Sequence, residues 1–215
     1  MFDTIAPRYD LVNRIMTFRM DVGWRRRTVA ALRLAPGSNV ADLACGTGDF
    51  CRELAAAELE PVGFDLSWGM LAHARTDAPL GQADALQLPL RAASVDGITC
   101  GFALRNVADL AAFMAECARC LRVGGRMALL EVAEPPNRIL RLGHRLYFGK
   151  VVPFVGGLLS DPAAYRYLPR SVAYLPPADE LVAMIERCGF DEVDRRLLSG
   201  GIAQLIVARR SGGPR

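Results

Sequence analysis

Val40-Ala41-Asp42-Leu43-Ala44-Cys45-Gly46-Thr47-Gly48-Asp49 reads as an apolar strand, a glycine turn and the start of a helix at Asp49. Gly46 and Gly48 permit a positive φ and let a ligand approach the backbone without a Cβ in the way. Thr47 and Asp49 can accept from the first free N–H groups of a helix. A strand that ends this way sets a small molecule at the carboxyl edge of a parallel sheet. The spacing argues against a dinucleotide, because the third glycine of G-x-G-x-x-G would fall at Cys51.

The carboxylates around the turn narrow the choice further. Asp42 would repel a pyrophosphate and attract a cation, such as the amino-acid ammonium of a sulfonium nucleoside. Pro61-Val62-Gly63-Phe64-Asp65 is a short second strand, and Asp65 lies 19 residues after Gly46. An acid at the end of a second strand is placed to accept from both hydroxyls of a ribose. Asp65 could instead do no more than help start the helix at Ser67. Asp84, after a third short strand, can accept from an exocyclic amine of adenine, while Ala85 offers its backbone N–H. Taken alone, Asp84 would be a solvated loop residue; as the third acid at one sheet edge it points to adenine recognition.

Working outward, residues 4–33 read as helical with a break near Asp21-Val22-Gly23, and Tyr9 is placed to face the bound molecule. The run Arg25-Arg26-Arg27 reads as a solvated helix face. Helices are expected over 50–57, 68–76, 109–121 and 179–188, and strands over 94–101, 126–132, 193–198 and 202–208. Strands alternating with helices at this length imply an α/β, doubly wound, Rossmann-like sheet, mostly parallel. Arg105-Asn106 follows the fourth strand, where polar side chains at a sheet mouth are costly to bury without a task. Residues 138–160 mix apolar and basic positions, with Ile139, Leu142 and Leu146 on one face, and suit an apolar substrate or a membrane surface. The expected divisions of a single domain are a helical cap (1–35), a cofactor core (36–133), a substrate-side insertion (134–177) and closing elements (178–209), with a frayed tail over 209–215.

The formal charge of +3 is too small to argue for a nucleic-acid partner. Cys117-x-x-Cys120 lies within a helical pattern without a second pair, so no metal is expected. Met1-Phe2-Asp3 opens without a basic region and apolar run, and a reducing, cytoplasmic setting is expected.

Asp-x-Ala-x-Gly-Thr-Gly-Asp resembles motif I of class I S-adenosylmethionine (SAM) methyltransferases. Over nearly its whole length the chain is similar to the ubiquinone/menaquinone biosynthesis C-methyltransferases, the UbiE-type family. That likeness rests on Ala6-Pro7-Arg8-Tyr9-Asp10, the turn from Asp42 to Asp49, and Ser67 with Gly69-Met70-Leu71. It extends through Gly101-Phe102, Leu104-Arg105-Asn106-Val107, Tyr165-Arg166-Tyr167-Leu168-Pro169 and Ser199-Gly200-Gly201-Ile202. The resemblance implies a seven-strand sheet with the last strand antiparallel between the fifth and sixth. It implies SAM contacts at Thr47, Asp65, Asp84, Ala85 and Gly101, beside Asp42, Gly46 and Gly48 of the turn itself. The implied reaction is methylation of a ring carbon on a prenylated quinol precursor. Arg105 and Asn106 are the candidate catalytic pair, Arg105 as the cation favouring a phenolate, and Tyr9, Tyr165 and Tyr167 are candidate substrate contacts. A serine is common at Gly101 in the family, Ala103 replaces a glycine, and Ala203-Gln204-Leu205-Ile206 lacks a usual histidine and arginine. O- or N-methylation of another apolar molecule, or SAM binding without catalysis, are the alternative readings. Expected partners are the apolar substrate and, peripherally, the inner face of a membrane; a homodimer is allowed.

Overall fold

Strands β1 (Asn39–Leu43), β2 (Glu60–Asp65), β3 (Leu80–Gln82), β4 (Val95–Gly101), β5 (Leu121–Val132), β6 (Phe190–Leu198) and β7 (Ala203–Arg210) form one sheet. Their order is β3-β2-β1-β4-β5-β7-β6. The computed structural model describes residues 14–147, 149 and 175–212. Tyr9, Tyr165, Tyr167 and the 150–160 part of the insertion lie outside the described residues. β1 to β5 pair in parallel, and β7 runs antiparallel between β5 and β6. The order reverses between β1 and β4, so the carboxyl ends of those two strands open the crevice where such sheets bind ligands.

Each strand supplies both faces through its two-residue period. On one face Ala41, Leu43, Ile98, Cys100, Met127 and Leu129 pack with Phe113, Met114 and Ile185. Those partners come from α4 (Leu110–Cys120) and α6 (Ala178–Arg187). On the other face Val40, Ala128, Leu130, Leu205 and Val207 pack with Trp24, Leu32, Phe50 and Leu54. These come from α1 (Met20–Leu32) and α2 (Asp49–Ala56). Two short helices complete the set, α3 (Trp68–Ala72) and α5 (Arg138–Leu146).

Local chemistry fixes the helix ends. Asp109 accepts from the Ala112 N–H (2.9 Å) and starts α4, and Asn137 accepts from Ile139 and Leu140 N–H (2.9 and 3.2 Å) to start α5. Four expectations are corrected. The N-terminal helical stretch breaks at 17–19, where Phe18 and Arg19 take positive φ, and α1 continues through Gly23. The reason is that Asp21 opens α1 and binds Arg25 one turn on, which spans Gly23. Arg25 is buried rather than solvated. α3 ends at Ala72, well short of 76, and Thr76 turns back to accept from the Ala78 N–H. Arg209 and Arg210 are not frayed but close β7, where Arg209 pairs with Asp191 and Arg210 donates to the Ala118 carbonyl at the end of α4.

Phe113 is fully buried between α4 and the sheet. Phe113→Ala should cost about 3–5 kcal/mol in urea unfolding. A loss under about 1 kcal/mol would show that α4 does not anchor this face.

Candidate active site at the carboxyl edge

The turn after β1 is tight and partly strained. Ala44, Gly46 and Gly48 have φ of 52°, 56° and 83°. Alanine at positive φ is uncommon and marks a backbone over-determined by its surroundings. A Cβ on Gly48 would lie 2.6 Å from Thr76 Cγ2, whereas a Cβ on Gly46 would meet no atom within 4 Å. Gly46 therefore faces open space, and its backbone can be approached from the crevice.

Asp65 ends β2 and locks this turn from the side. One carboxylate oxygen accepts from the Gly46 N–H (2.8 Å) and the other from the Ser67 N–H (2.8 Å). Ser67 in turn caps α3 by accepting from the Met70 N–H. Helix start and ligand edge are thus one device. Beside it, β3 places Gln82 opposite Asp65, and the loop beyond presents Asp84. Asp84 is exposed and accepts from the Leu86 N–H (2.9 Å), which fixes the loop, and Ala85 packs against the core.

Asp42 sits deeper. It is 1% exposed, one residue short of the end of β1, and accepts from the Thr99 hydroxyl (2.8 Å) and the Cys51 thiol (3.8 Å). Burial pushes its carboxyl up to about 7; the Asp65 charge adds to this, while the two hydrogen bonds and Arg25 oppose it. The Cys51 thiol is held far above its ordinary value by its hydrogen bond with Cys45 and by burial. Burial does the same for Cys100. These thiols are neutral packing groups with polar tips, unsuited to nucleophilic work.

At the other wall of the crevice, Gly101 ends β4. A Cβ there would come within 2.4 Å of the Phe50 ring, so Gly101 is glycine because α2 packs against it. Phe102 follows at φ 58°. A short 3₁₀ turn, Leu104–Asn106, then presents Asn106 to solvent and turns Arg105 inward. The Arg105 guanidinium pairs with Glu131, which is fully buried near the end of β5. Glu131 also accepts from the Arg105 and Val132 N–H groups (3.3 and 2.8 Å). Arg105 is therefore half of a buried ion pair.

Asp84, Asp65, the glycine turn, Gly101 and the Arg105–Glu131 pair thus follow one another along the carboxyl edges of β3, β2, β1, β4 and β5. Sequence reasoning missed Glu131 and Arg25. The available signal for Glu131 was a lone acid inside the apolar run Met127-Ala128-Leu129-Leu130-Glu131-Val132. Gln204 stands in the segment that departs from the family pattern. It is buried, accepts from Arg195 (2.6 Å) and donates to the Val132 carbonyl (3.3 Å).

The model of the ubiE/COQ5 methyltransferase family matches residues 1–210. The chain belongs to that family. It is 42% identical over 220 residues to a protein of Syntrophotalea carbinolica, with 98% of this chain and 93% of that one covered. That relative is named ubiquinone/menaquinone biosynthesis C-methyltransferase UbiE. A demethylmenaquinone methyltransferase of Thermus thermophilus is 43% identical over 221 residues, covering 98% of this chain and all of the relative. Among solved structures, a SAM-dependent methyltransferase from Thermotoga maritima superposes with a TM-score of 0.66 at 19% identity, covering 98% of both chains. Phosphoethanolamine N-methyltransferase 2 of Haemonchus contortus, in complex with SAM, gives 0.62 at 13% identity over 86% of this chain and 52% of its own. These two show the shared fold. As a member of the ubiE/COQ5 family the chain is a SAM-dependent methyltransferase. The crevice fits that cofactor, with an open glycine backbone and an acid bound to the turn.

Two outcomes are expected. Gly101→Ser should lose about 1–3 kcal/mol in thermal unfolding through overpacking against Phe50, and Phe50→Leu in the same chain should restore most of it. No recovery in the double variant would place the clash elsewhere. For pH, Asp42 binds its proton more tightly folded than unfolded, so its contribution is complete below 3.8 and is lost as pH rises towards about 7. Stability should fall across that window by about 4 kcal/mol more than in Asp42→Asn, measured by urea unfolding at each pH. Parallel pH profiles would remove Asp42 as the source.

Proposed function

We propose that the chain methylates a ring carbon of a prenylated quinol precursor, of the demethylmenaquinol-to-menaquinol kind. This reading is carried by the shared naming of relatives that match nearly the whole chain. SAM, when bound, supplies an electrophilic methyl on its sulfonium. Asp65 accepts from the ribose hydroxyls, Asp84 and the Ala85 N–H read the adenine edge, and Thr47, Gly46, Gly48 and Gly101 hold the remainder through their backbones. Asp42 lies beneath the turn as the counter-charge for the ammonium. Leu66 and Trp68, both largely exposed beside Asp65, flank the nucleoside with apolar surface.

On the acceptor side the task is alignment, exclusion of water and handling of one hydroxyl proton. The quinol hydroxyl first gives up its proton to water, leaving charge on oxygen. The phenolate then directs that electron density through the ring carbon onto the methyl as the methyl–sulfur bond breaks, and the ring carbon loses its own proton to restore aromaticity. Glu131 occupies Arg105 Nη1, and the guanidinium retains further N–H donors with which to stabilise that oxygen. Asn106, exposed on the same turn, orients the ring, and Tyr9, Tyr165 and Tyr167 line the substrate. The prenyl chain is met by α5, whose Ile139, Leu142 and Leu146 are more than half exposed and whose neighbouring face carries Arg138, Arg141 and Arg145. That amphipathic face also suits peripheral contact with the cytoplasmic side of a membrane. No described helix is long and apolar enough to cross one.

Incubation with methyl-labelled SAM and a short-chain demethylmenaquinol should place the label on ring carbon. Label on oxygen or nitrogen would replace this reading with heteroatom transfer, and binding without transfer would remove catalysis. Arg105→Gln should lower kcat by roughly 100-fold with SAM affinity nearly unchanged. Normal turnover in that variant would end its catalytic assignment.

A further inference from the structure

One turn of α1 reaches three of the loops that build the crevice. Arg25 is buried and pairs at once with Asp21, on its own helix, and with Asp49, the first residue of α2 after the glycine turn. Asp49 is also held by Arg52. Asp21 accepts in addition from the Thr17 hydroxyl (2.7 Å), so the acid that orients Arg25 is itself fixed. One residue earlier, the Trp24 indole N–H donates to the Ser199 hydroxyl (2.8 Å), in the turn between β6 and β7. The Trp24 ring also lies against Phe102, immediately after β4, with centroids 6.3 Å apart.

The Ser199 turn is as constrained as the cofactor turn. Ser199 has φ 49°. Gly201 has φ 98°, and a Cβ there would lie 2.6 Å from Pro136 Cδ, in the segment that leads into α5. A Cβ on Gly200 would lie 3.2 Å from Leu140 of α5 itself. Trp24 therefore grips the acceptor-side elements, and Arg25 grips the cofactor turn. Arg25 is 6% exposed and its carboxylate partners are largely covered, so the pair is poorly screened by solvent. The geometry points to Trp24 and Arg25 as positioning residues that couple the SAM turn to the acceptor-side loops, so that damage to the Ser199 contact is felt as a loss of SAM affinity.

The measurement is the dissociation constant for SAM by titration calorimetry on the whole chain, which needs no acceptor and so stands apart from the identity of the quinol. Ser199→Ala and Trp24→Phe each delete the indole–hydroxyl bond while keeping the packing. Each should weaken SAM binding by roughly 3- to 10-fold, the scale of one hydrogen bond transmitted to the site. Arg25→Gln should weaken it more, Arg25→Lys should recover part of the loss, and Trp24→Phe should add little in the Arg25→Gln background. Unchanged SAM affinity in both Ser199→Ala and Trp24→Phe, with the fold intact by circular dichroism, would overturn the coupling. So would full additivity of Arg25→Gln with Trp24→Phe. Should Arg25→Gln fail to fold, the Ser199 and Trp24 variants decide the matter alone.

Discussion

The bond from the Gly46 N–H to the Asp65 carboxylate is the constraint on which the crevice depends. It joins the turn after β1 to the end of β2, and the same carboxylate holds Ser67 at the start of α3. A loop that holds a non-glycine residue, Ala44, at positive φ costs backbone energy and stays in place only when its neighbours leave it no alternative. Asp65 supplies one such restraint from the side. Thr76 against Gly48 and Arg25 against Asp49 supply others. The turn is thereby shaped before any ligand arrives, which reduces the ordering that binding would otherwise require.

Charge beneath the crevice is arranged in short, mutually restraining sets. Asp42 leans on Thr99 and Cys51, Arg105 on Glu131, and Arg25 on Asp21 and Asp49. Buried ions contribute little net stability, but removing one partner strands the other, so each set holds its loop in a single arrangement. This explains why so many ionisable groups can lie under one sheet edge in a chain with an otherwise apolar core.

The legible parts were those written in local pattern. The strand–turn–helix at 40–49, the acids at 65 and 84 and the helix start at Ser67 follow from spacing and residue type within a few positions. Errors arose where a distant partner overrode a local signal. Asp21-Val22-Gly23 looks like a helix break, yet the Asp21–Arg25 pair carries the helix through it. Arg25 reads as one of three solvated arginines, and it is drawn inside because Asp49 waits there from another element. The acid that pairs with Arg105 is 26 residues away, inside the apolar run Met127–Val132, and no local pattern links the two.

By itself, the sequence determined the alternation of strand and helix, the glycine turn, the row of carboxylates and membership of a SAM-dependent methyltransferase family. Those properties reside in contiguous residues or in motifs read along the chain. Tertiary structure alone decided which charges are neutralised and which loops are bound together. Trp24 and Ser199 are 175 residues apart, and only the return of β7 between β5 and β6 brings the Ser199 turn over α1. Hydrogen bonds and ion pairs act over a few ångströms, so their partners are set by the strand order and not by any periodicity along the chain.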